Sequence, residues 1–376
     1  MSPPDPSDPR GSRGQRAGHE VAVGQMVPTA RRDRDSAHAR GVSIRVFATT
    51  PPSKGAEPDT YLQHVTDVAR WSEAAGCEGT LVYTDNGLVD PWLLAQAIIE
   101  STERLCPLIA IQPVYMHPYT AAKMVASLGF MHNRRVWLNI VAGGFKNDLA
   151  ALGDETPHDD RYERAKEYAQ VMLGLLAGET TSLAGRYYGV KNLRMTPQLP
   201  ETLRPGVLIS GSSPAGFATA RAIGAVPVKY PKSPDEEEAS EDTAEFGVRI
   251  GIIARETEEE AWRIAHERFP EDRQGRIAHG LAMNVSDSRW HRQLSGVDGA
   301  GGQNGHEPKP NPYWLVPFQN YKTFCPYLVG AHDHIAEVVA GYMRLGATTF
   351  ILDIPPSEDE LHHTGAVLRA AAGAVR

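Results

Sequence analysis

The sequence predicts an α/β protein built as a closed (β/α)8 TIM barrel with insertions over its C-terminal face. Three observations predict it. From Val42 onward, short β-branched runs alternate with helix-periodic runs about eight times over roughly 330 residues. Such alternation gives parallel strands covered by helices. Eight units suit a barrel, typically ~250 residues plus insertions. No G-x-G-x-x-G follows the first strand and no Walker lysine motif occurs, which counts against a doubly wound open sheet.

Each element has a local reason. Val42 to Ala48 is a β-branched, apolar strand, and Tyr61 to Ala75 carries Leu62, Val65, Val68, Ala69 and Trp71 at helical spacing before Gly76 stops it. Strands follow at Gly79 to Tyr83, Leu105 to Ile111 and Arg135 to Val141, each trailed by a helix: Pro91 to Ile99, Ala121 to Phe130 and Arg161 to Leu176. Thr181 to Leu193 reads as a hairpin turning at Ala184-Gly185. Then come a strand Gly206 to Ser210, a helix Pro214 to Ile223, and strands Ala225 to Val228 and Phe246 to Ala254. A Glu-rich helix starts near Thr257, and the chain closes with a helix Ile335 to Leu345, a strand Thr348 to Ile354 and a helix from Glu358. Residues 293–330 show no period, and 231–245 is acidic and polar where a full helix belongs.

Residues 1–40 lack periodic apolar positions and are expected to be a disordered extension. Residues 41–376 are expected to form one barrel domain with an insertion at about 281–330. Net charge is −8, from 38 basic and 46 acidic residues, which weighs against nucleic acid as a partner. No run approaches ~18 apolar residues, so no membrane span is expected. Arg31-Arg32 is not followed by an apolar stretch, so an export signal is not expected. Cys77, Cys106 and Cys325 are scattered singly, which reads as a reduced, cytoplasmic chain.

Barrel chemistry gathers where strands end. Ser210-Gly-Ser-Ser213 precedes Pro214 at a helix start; its small residues, hydroxyls and helix amides suit a phosphate, while plain capping explains the same serine. Asn139-Ile-Val-Ala142-Gly-Gly144 gives a tight turn, and Asn139 either meets a heterocycle edge or is a satisfied interior amide. His158 and Tyr162 share one helix face, placed to reach an anion or a ring at the barrel mouth, and an N-cap by Asp159 or Asp160 is the plainer alternative. Arg249 alternates with Val248 and Ile250 inside a strand, so it either pairs with a carboxylate such as Asp85 or Asp353 or receives an anion. His332-Asp-His334 and His362-His363 lack a third nearby ligand, so no metal is expected.

Taken in order, TDNGLVDPW (84–92), LNIVAGG (138–144), HDDRYERA (158–165), YYGVKN (187–192), SGSS (210–213) and GVRIGIIARETEEEAW (247–262) resemble the bacterial luciferase-like flavin-dependent monooxygenases. The two-component alkanesulfonate and pyrimidine-ring-opening branches are the most similar. The resemblance implies FMN, used as FMNH2 supplied by a separate NAD(P)H-dependent reductase, with O2 as co-substrate. It implies that Tyr83 and Thr84 lie beside the flavin ring, and that Asn139 and the adjoining Ala142 turn meet its edge. Asp148 matches a flavin-contacting acid, and His158, Arg161 and Tyr162 would lie at the flavin and its phosphate, with Ser212 and Ser213 binding the phosphate. Arg249 would be the catalytic residue, holding an anion or the activated oxygen. A homodimer or homotetramer is implied too.

The departures concern the substrate. The alkanesulfonate branch has a cysteine where this chain has Leu88, a histidine where it has Gly251, and S-G-Y-P-H where it reads Asp353-Ile-Pro-Pro-Ser357. A small, less anionic substrate is therefore expected: organosulfur, amine or ketone. Tyr313, Trp314, Phe318, Tyr321 and Phe324 would form an aromatic lid, or pack as an ordinary loop. Two other functions remain open: F420-dependent hydride transfer, and a non-catalytic flavin-binding partner subunit.

Overall fold

The computed structural model describes residues 44–143, 145–233, 236–237, 245–285 and 311–375. The expected extension 1–40, most of the acidic stretch 234–244 and the insertion residues 286–310 lie outside the described residues. Eight parallel strands close on themselves: β1 (Arg45–Thr49), β2 (Gly79–Val82), β3 (Cys106–Ile111), β4 (Trp137–Val141), β7 (Gly206–Ser210), β8 (Val226–Lys229), β9 (Phe246–Arg255) and β12 (Ala347–Leu352). The β12–β1 and β8–β9 pairings seal the ring, as the sequence predicts. The hairpin β5 (Thr181–Ala184) and β6 (Gly189–Leu193) stands apart as a two-stranded sheet.

Helices cover the outside: α1 (Pro58–Ala74), α2 (Pro91–Ser101), α3 (Pro118–His132), α4 (Lys146–Ala151), α5 (His158–Leu176), α6 (Pro214–Ile223), α7 (Glu258–Arg268), α8 (Arg273–Val285), α9 (Val316–Gln319), α10 (His332–Arg344) and α11 (Glu358–Ala374). Proline at the first turn and a capping side chain start several of them. Asp90 accepts from Trp92 N at 2.9 Å, and Thr257 and Ser357 cap α7 and α11. Among the described residues, none of these helices is long and apolar enough to cross a membrane.

Two elements depart from the sequence reading. Helix α8 covers residues to which the sequence reading assigns no element, and strand β11 (Tyr327–Ala331) begins in the stretch 293–330 where no period is visible. β11 pairs in parallel with Gly251–Arg255, the outer half of β9, on the edge whose inner half meets β8. β8 has four residues and pairs with β9 only at Val228 and Lys229, so the outer half of that edge is left for β11. β11 is buried almost throughout and therefore shows no polar alternation to read. The two-residue β10 (Tyr313–Trp314) then pairs antiparallel to it.

The barrel interior is filled by Phe47, Leu81, Leu108, Trp137, Leu208 and Ile351. Trp137 plugs the N-terminal end. Arg45 and Arg135 lie over its ring at 5.5 and 4.9 Å, and its indole N–H donates to Glu78 Oε1 at 3.1 Å. Gly206 makes room for it: a Cβ there would sit 2.2 Å from the ring. Gly206→Ala is expected to cost about 1–3 kcal/mol by overpacking. Combining it with Trp137→Leu should recover part of that loss in a double-mutant cycle read by urea unfolding; simple additivity would contradict the packing argument.

Candidate active site

At the C-terminal ends of the strands, inward-facing positions turn polar. Asn139 on β4 and Ser210 on β7 face each other, and Ser210 Oγ donates to Asn139 Oδ1 at 3.0 Å. That bond occupies the carbonyl side of the amide and leaves Nδ2 as a donor. Past Ser210 the chain turns at Gly211, whose φ is +151°. Only glycine fits, because a Cβ would lie 2.1 Å from the Tyr162 hydroxyl. Tyr162 is buried under the turn and donates to Ser210 O at 3.3 Å. Ser213 caps α6 by accepting from Gly216 N at 3.1 Å. Pro214 has no N–H, and Phe217 N donates to Ser213 O at 3.0 Å, so the Ala215 N–H is the first-turn amide of α6 left without an intrahelical partner. Of the two readings of the serine loop, the cap is found, at Ser213.

Helix α5 supplies the support. His158 bonds Asp159 Oδ1 at 2.7 Å and packs edge-on to Tyr162 at 5.2 Å. Arg161 is buried and donates to Thr156 O at 3.1 Å, fixing the turn before the helix. Asp154 anchors the same turn, bonded by Arg164 at 2.7 Å and by the Thr156 hydroxyl at 2.6 Å. Burial alone would raise the Asp154 pKa, but these hydrogen bonds and the Arg164 charge hold it at about 2.

The opposite wall is acidic. Asp148, in the first turn of α4, and Asp85, after β2, lie close enough that burial and the Asp85 charge push the Asp148 carboxyl up. Asn86 ties this wall together: Nδ2 donates to Asp148 O at 2.9 Å and Oδ1 accepts from Tyr115 at 2.7 Å. Thr84 is half-buried between Tyr83 and Asp85, and Ala142 is buried just before Gly143, whose φ is +107°. Residues 84–92 therefore serve first as a structured turn: Asp85 accepts from Gly87 N at 2.6 Å and Asp90 caps α2.

Arg249 on β9 is 7% exposed and reaches across the barrel. Its Nη2 donates to the Tyr83 hydroxyl, and its guanidinium lies 4.8 Å from the centre of the Tyr83 ring. Asp353 Oδ1 is 4.0 Å from the same nitrogen. Of the two partners expected for Arg249, Asp353 is the one found. Asp353 Oδ2 accepts from Tyr327 Oη at 2.8 Å. Tyr327 stands where a side chain at 251 would be, since a Cβ on Gly251 would meet its ring at 2.3 Å. Cys325 is wholly buried beside this group; burial and the Asp353 charge push its thiol far up, against the pull of Arg249. Sequence pattern singles out neither Tyr327 nor Cys325 as part of the site. The one local signal is Gly251, because a glycine amid β-branched neighbours marks a close approach. A small crevice opens beside Gly251, Tyr327 and Asp353, with Arg268 and Glu360 also lining it.

The aromatic insertion divides. Tyr313, Trp314 and Phe318 are core: Tyr313 donates to Pro231 O at 2.8 Å, and Trp314 packs edge-on to Trp262 at 5.7 Å. Tyr321 and Phe324, at 37% and 38% exposure, stay near the surface, and Phe324 meets Tyr83 edge-on at 6.5 Å. His332 and His363 stack and share a hydrogen bond of 2.9 Å. Among the described residues no group of three or more candidate ligands could hold a metal.

A parallel barrel with a glycine-serine turn, an interior amide and a buried arginine at its C-terminal rim defines an enzyme of the TIM-barrel class. Residues 42–349 match the family model described as luciferase-like monooxygenase, and the chain belongs to that family of flavin-using enzymes. It is 33% identical over 311 residues to a Niallia circulans protein, across 81% of this chain and 89% of that one. That relative, BtrO, is named as the monooxygenase of a 4-(gamma-L-glutamylamino)butanoyl group on the BtrI acyl-carrier protein. In fold this chain is similar to EDTA monooxygenase (EmoA) from Chelativorans sp. BNC1, with TM-score 0.64, 17% identity, and coverage of 89% of this chain and 95% of that one. An F420-dependent secondary alcohol dehydrogenase is similar in fold too, with TM-score 0.60, 15% identity, and coverage of 88% and 99%.

The Asp154 pKa has a consequence for stability. Because the folded carboxyl sits below its ordinary value, its contribution is complete above ~4 and is lost as pH falls towards 2. Asp154→Asn should lower stability by about 1–2 kcal/mol at pH 7, allowing for screening by nearby solvent. Urea unfolding at pH 7, 5, 3 and 2 should show the gap to the parent protein closing at the acid end; a constant gap would contradict the assignment.

Proposed function

We propose that this enzyme is a two-component monooxygenase that takes FMNH2 from a separate NAD(P)H-dependent reductase and transfers one oxygen of O2 to a small organic substrate. The observation that carries the reading is the serine turn over Tyr162. Gly211 leaves no room for a side chain beneath, and the Ala215 N–H of α6 and Ser212 remain as donors above. Those groups fit a phosphate dianion. Ser213, holding the cap, keeps that amide pointed outward. Arg161 and His158 keep α5, and with it Tyr162, in register with the turn. Asn139 Nδ2 would donate to the heterocycle edge, and Tyr83, Thr84, Ala142 and Asp148 would border the ring.

Reduced flavin, when bound, supplies the activation of O2. The chain's own work is to bind, orient and keep water out. Arg249 carries a fixed positive charge in a buried site and would stabilise negative charge developing during oxygen transfer. Phe324 against Tyr83 closes part of the mouth. An acyl group held on a carrier protein, as in the Niallia circulans relative, joins the organosulfur, amine and ketone candidates as substrate. Leu62 on α1, Leu93 on α2, and Phe130 and Met131 on α3 leave apolar side chains exposed, which supports working as a homo-oligomer.

Anaerobic fluorescence titration with reduced FMN and, separately, reduced F420 tests the cofactor. Binding of reduced FMN is expected; binding of F420 alone would move the function to hydride transfer, and binding of neither to a partner subunit. Ser212→Ala together with Asn139→Ala should weaken reduced FMN about tenfold or more, the scale of two lost hydrogen bonds. Once air is admitted, Arg249→Ala should keep flavin affinity yet lose about 100-fold in oxygen-transfer rate, releasing H2O2 instead. Coupled oxygenation at the parent rate would exclude the proposed role of Arg249.

A further inference from the structure

We propose that the Arg249 end of the site receives a neutral amide group of the substrate, with Asp353 as the specificity-determining residue and Tyr327 as the residue that positions it. The proposal rests on the monooxygenase reading for the use of the pocket, and deepens it by naming the substrate class. Three observations carry it. First, the site holds one unmet donor: Arg249 Nε is buried with no hydrogen-bond partner among the described residues. Second, it holds one unmet acceptor beside it. Asp353 Oδ1 lies 4.0 Å from Arg249 Nη2, beyond hydrogen-bond length, while Oδ2 is engaged by Tyr327 at 2.8 Å. Third, a small crevice beside Gly251 and Tyr327 reaches Asp353, the acceptor half of the pair.

The charges then choose the ligand. A lone buried arginine favours an anion. Here a carboxylate at similar burial stands next to it, so an incoming sulfonate or carboxylate meets Asp353 as well as Arg249. An ammonium group meets Arg249 for the converse reason. A carboxamide brings no net charge and presents a carbonyl oxygen and an N–H on one edge. It accepts from Arg249 and donates to Asp353, leaving neither buried group unpaired.

Tyr327 makes the arrangement possible. Its ring occupies the space that any side chain at position 251 would need, and its hydroxyl fixes the Asp353 rotamer. Gly251 and Asp353 are therefore not two separate losses relative to the alkanesulfonate branch. They are linked through one tyrosine.

The test uses the full chain and three matched probes: octanamide, octanesulfonate and octylamine. Their binding is measured by calorimetry with and without FMN, on the parent protein, Asp353→Asn and Tyr327→Phe. The parent should prefer octanamide to either charged probe by about tenfold or more. Asp353→Asn should shift the preference to octanesulfonate, a reversal that general destabilisation would not produce. Tyr327→Phe, which keeps the ring, should shrink the octanamide preference while leaving FMN affinity unchanged. A parent that binds octanesulfonate at least as well, or variants with the parent's preference, would overturn the proposal. Reduced-FMN titration of the parent separates the two readings. Failure to bind it sinks the monooxygenase function, whereas FMN binding with unchanged probe preference sinks the amide assignment alone.

Discussion

Arg249 places a permanent positive charge on an inward position of a parallel barrel, and the upper half of the molecule is arranged to tolerate it. A buried guanidinium is strongly unfavourable unless other groups replace the water it loses. No single carboxylate does so here. Tyr83 offers its hydroxyl and the face of its ring, and Asp353 offers charge at 4.0 Å. β9 and β2, which carry Arg249 and lead to Tyr83, are not neighbours; β12 and β1 stand between them. The contact therefore crosses the lumen and ties two sides of the rim together. Because the compensation is incomplete, Arg249 Nε is left buried without a hydrogen-bond partner among the described residues.

Three glycines follow a common rule. Gly206, Gly211 and Gly251 each give up a side chain so that an aromatic ring from elsewhere in the chain can take the space. The rings are Trp137 at the closed end of the barrel, Tyr162 under the serine turn, and Tyr327 at the Arg249 end. The first exchange stabilises the plug. The second lifts backbone donors clear of the core. The third fixes a carboxylate. In all three, the glycine is on or just beyond a barrel strand and its partner is distant in sequence, so the exchange is a tertiary event.

That distance explains how far the sequence could be read. The eight barrel strands are legible because each is a short apolar run bounded by helix and turn signals, and Gly206–Ser210 and Pro214–Ile223 appear with the boundaries read from pattern alone. The serine turn and Arg249 are legible because local rules single them out: small residues before a helix, and a charge inside a strand. Tyr327 is not legible. It sits on a buried strand without alternation, next to a stretch with no period, and its importance comes only from Gly251 and Asp353 far along the chain. The aromatic lid fails as a single reading for the same reason. Spacing cannot tell Trp314, packed on Trp262, from Phe324 at the mouth.

The two walls of the mouth differ in sign, and this bears on how a cofactor would lie in the proposed function. Asp85 and Asp148 stand on one side, where burial and the Asp85 charge push the Asp148 carboxyl up. A phosphate there would add a third negative group. The Ala215 N–H of α6 and Ser212 follow β7, the strand adjacent to β4, and helix-start donors favour an anion. In the proposed function, Ser212 and the Ala215 N–H would hold the phosphate, Asn139 and Tyr83 would hold the ring, and Arg249 would face it. The same charge that is hard to bury would then sit where charge develops in the reaction, so the unfavourable feature of the fold and the useful one coincide in a single side chain.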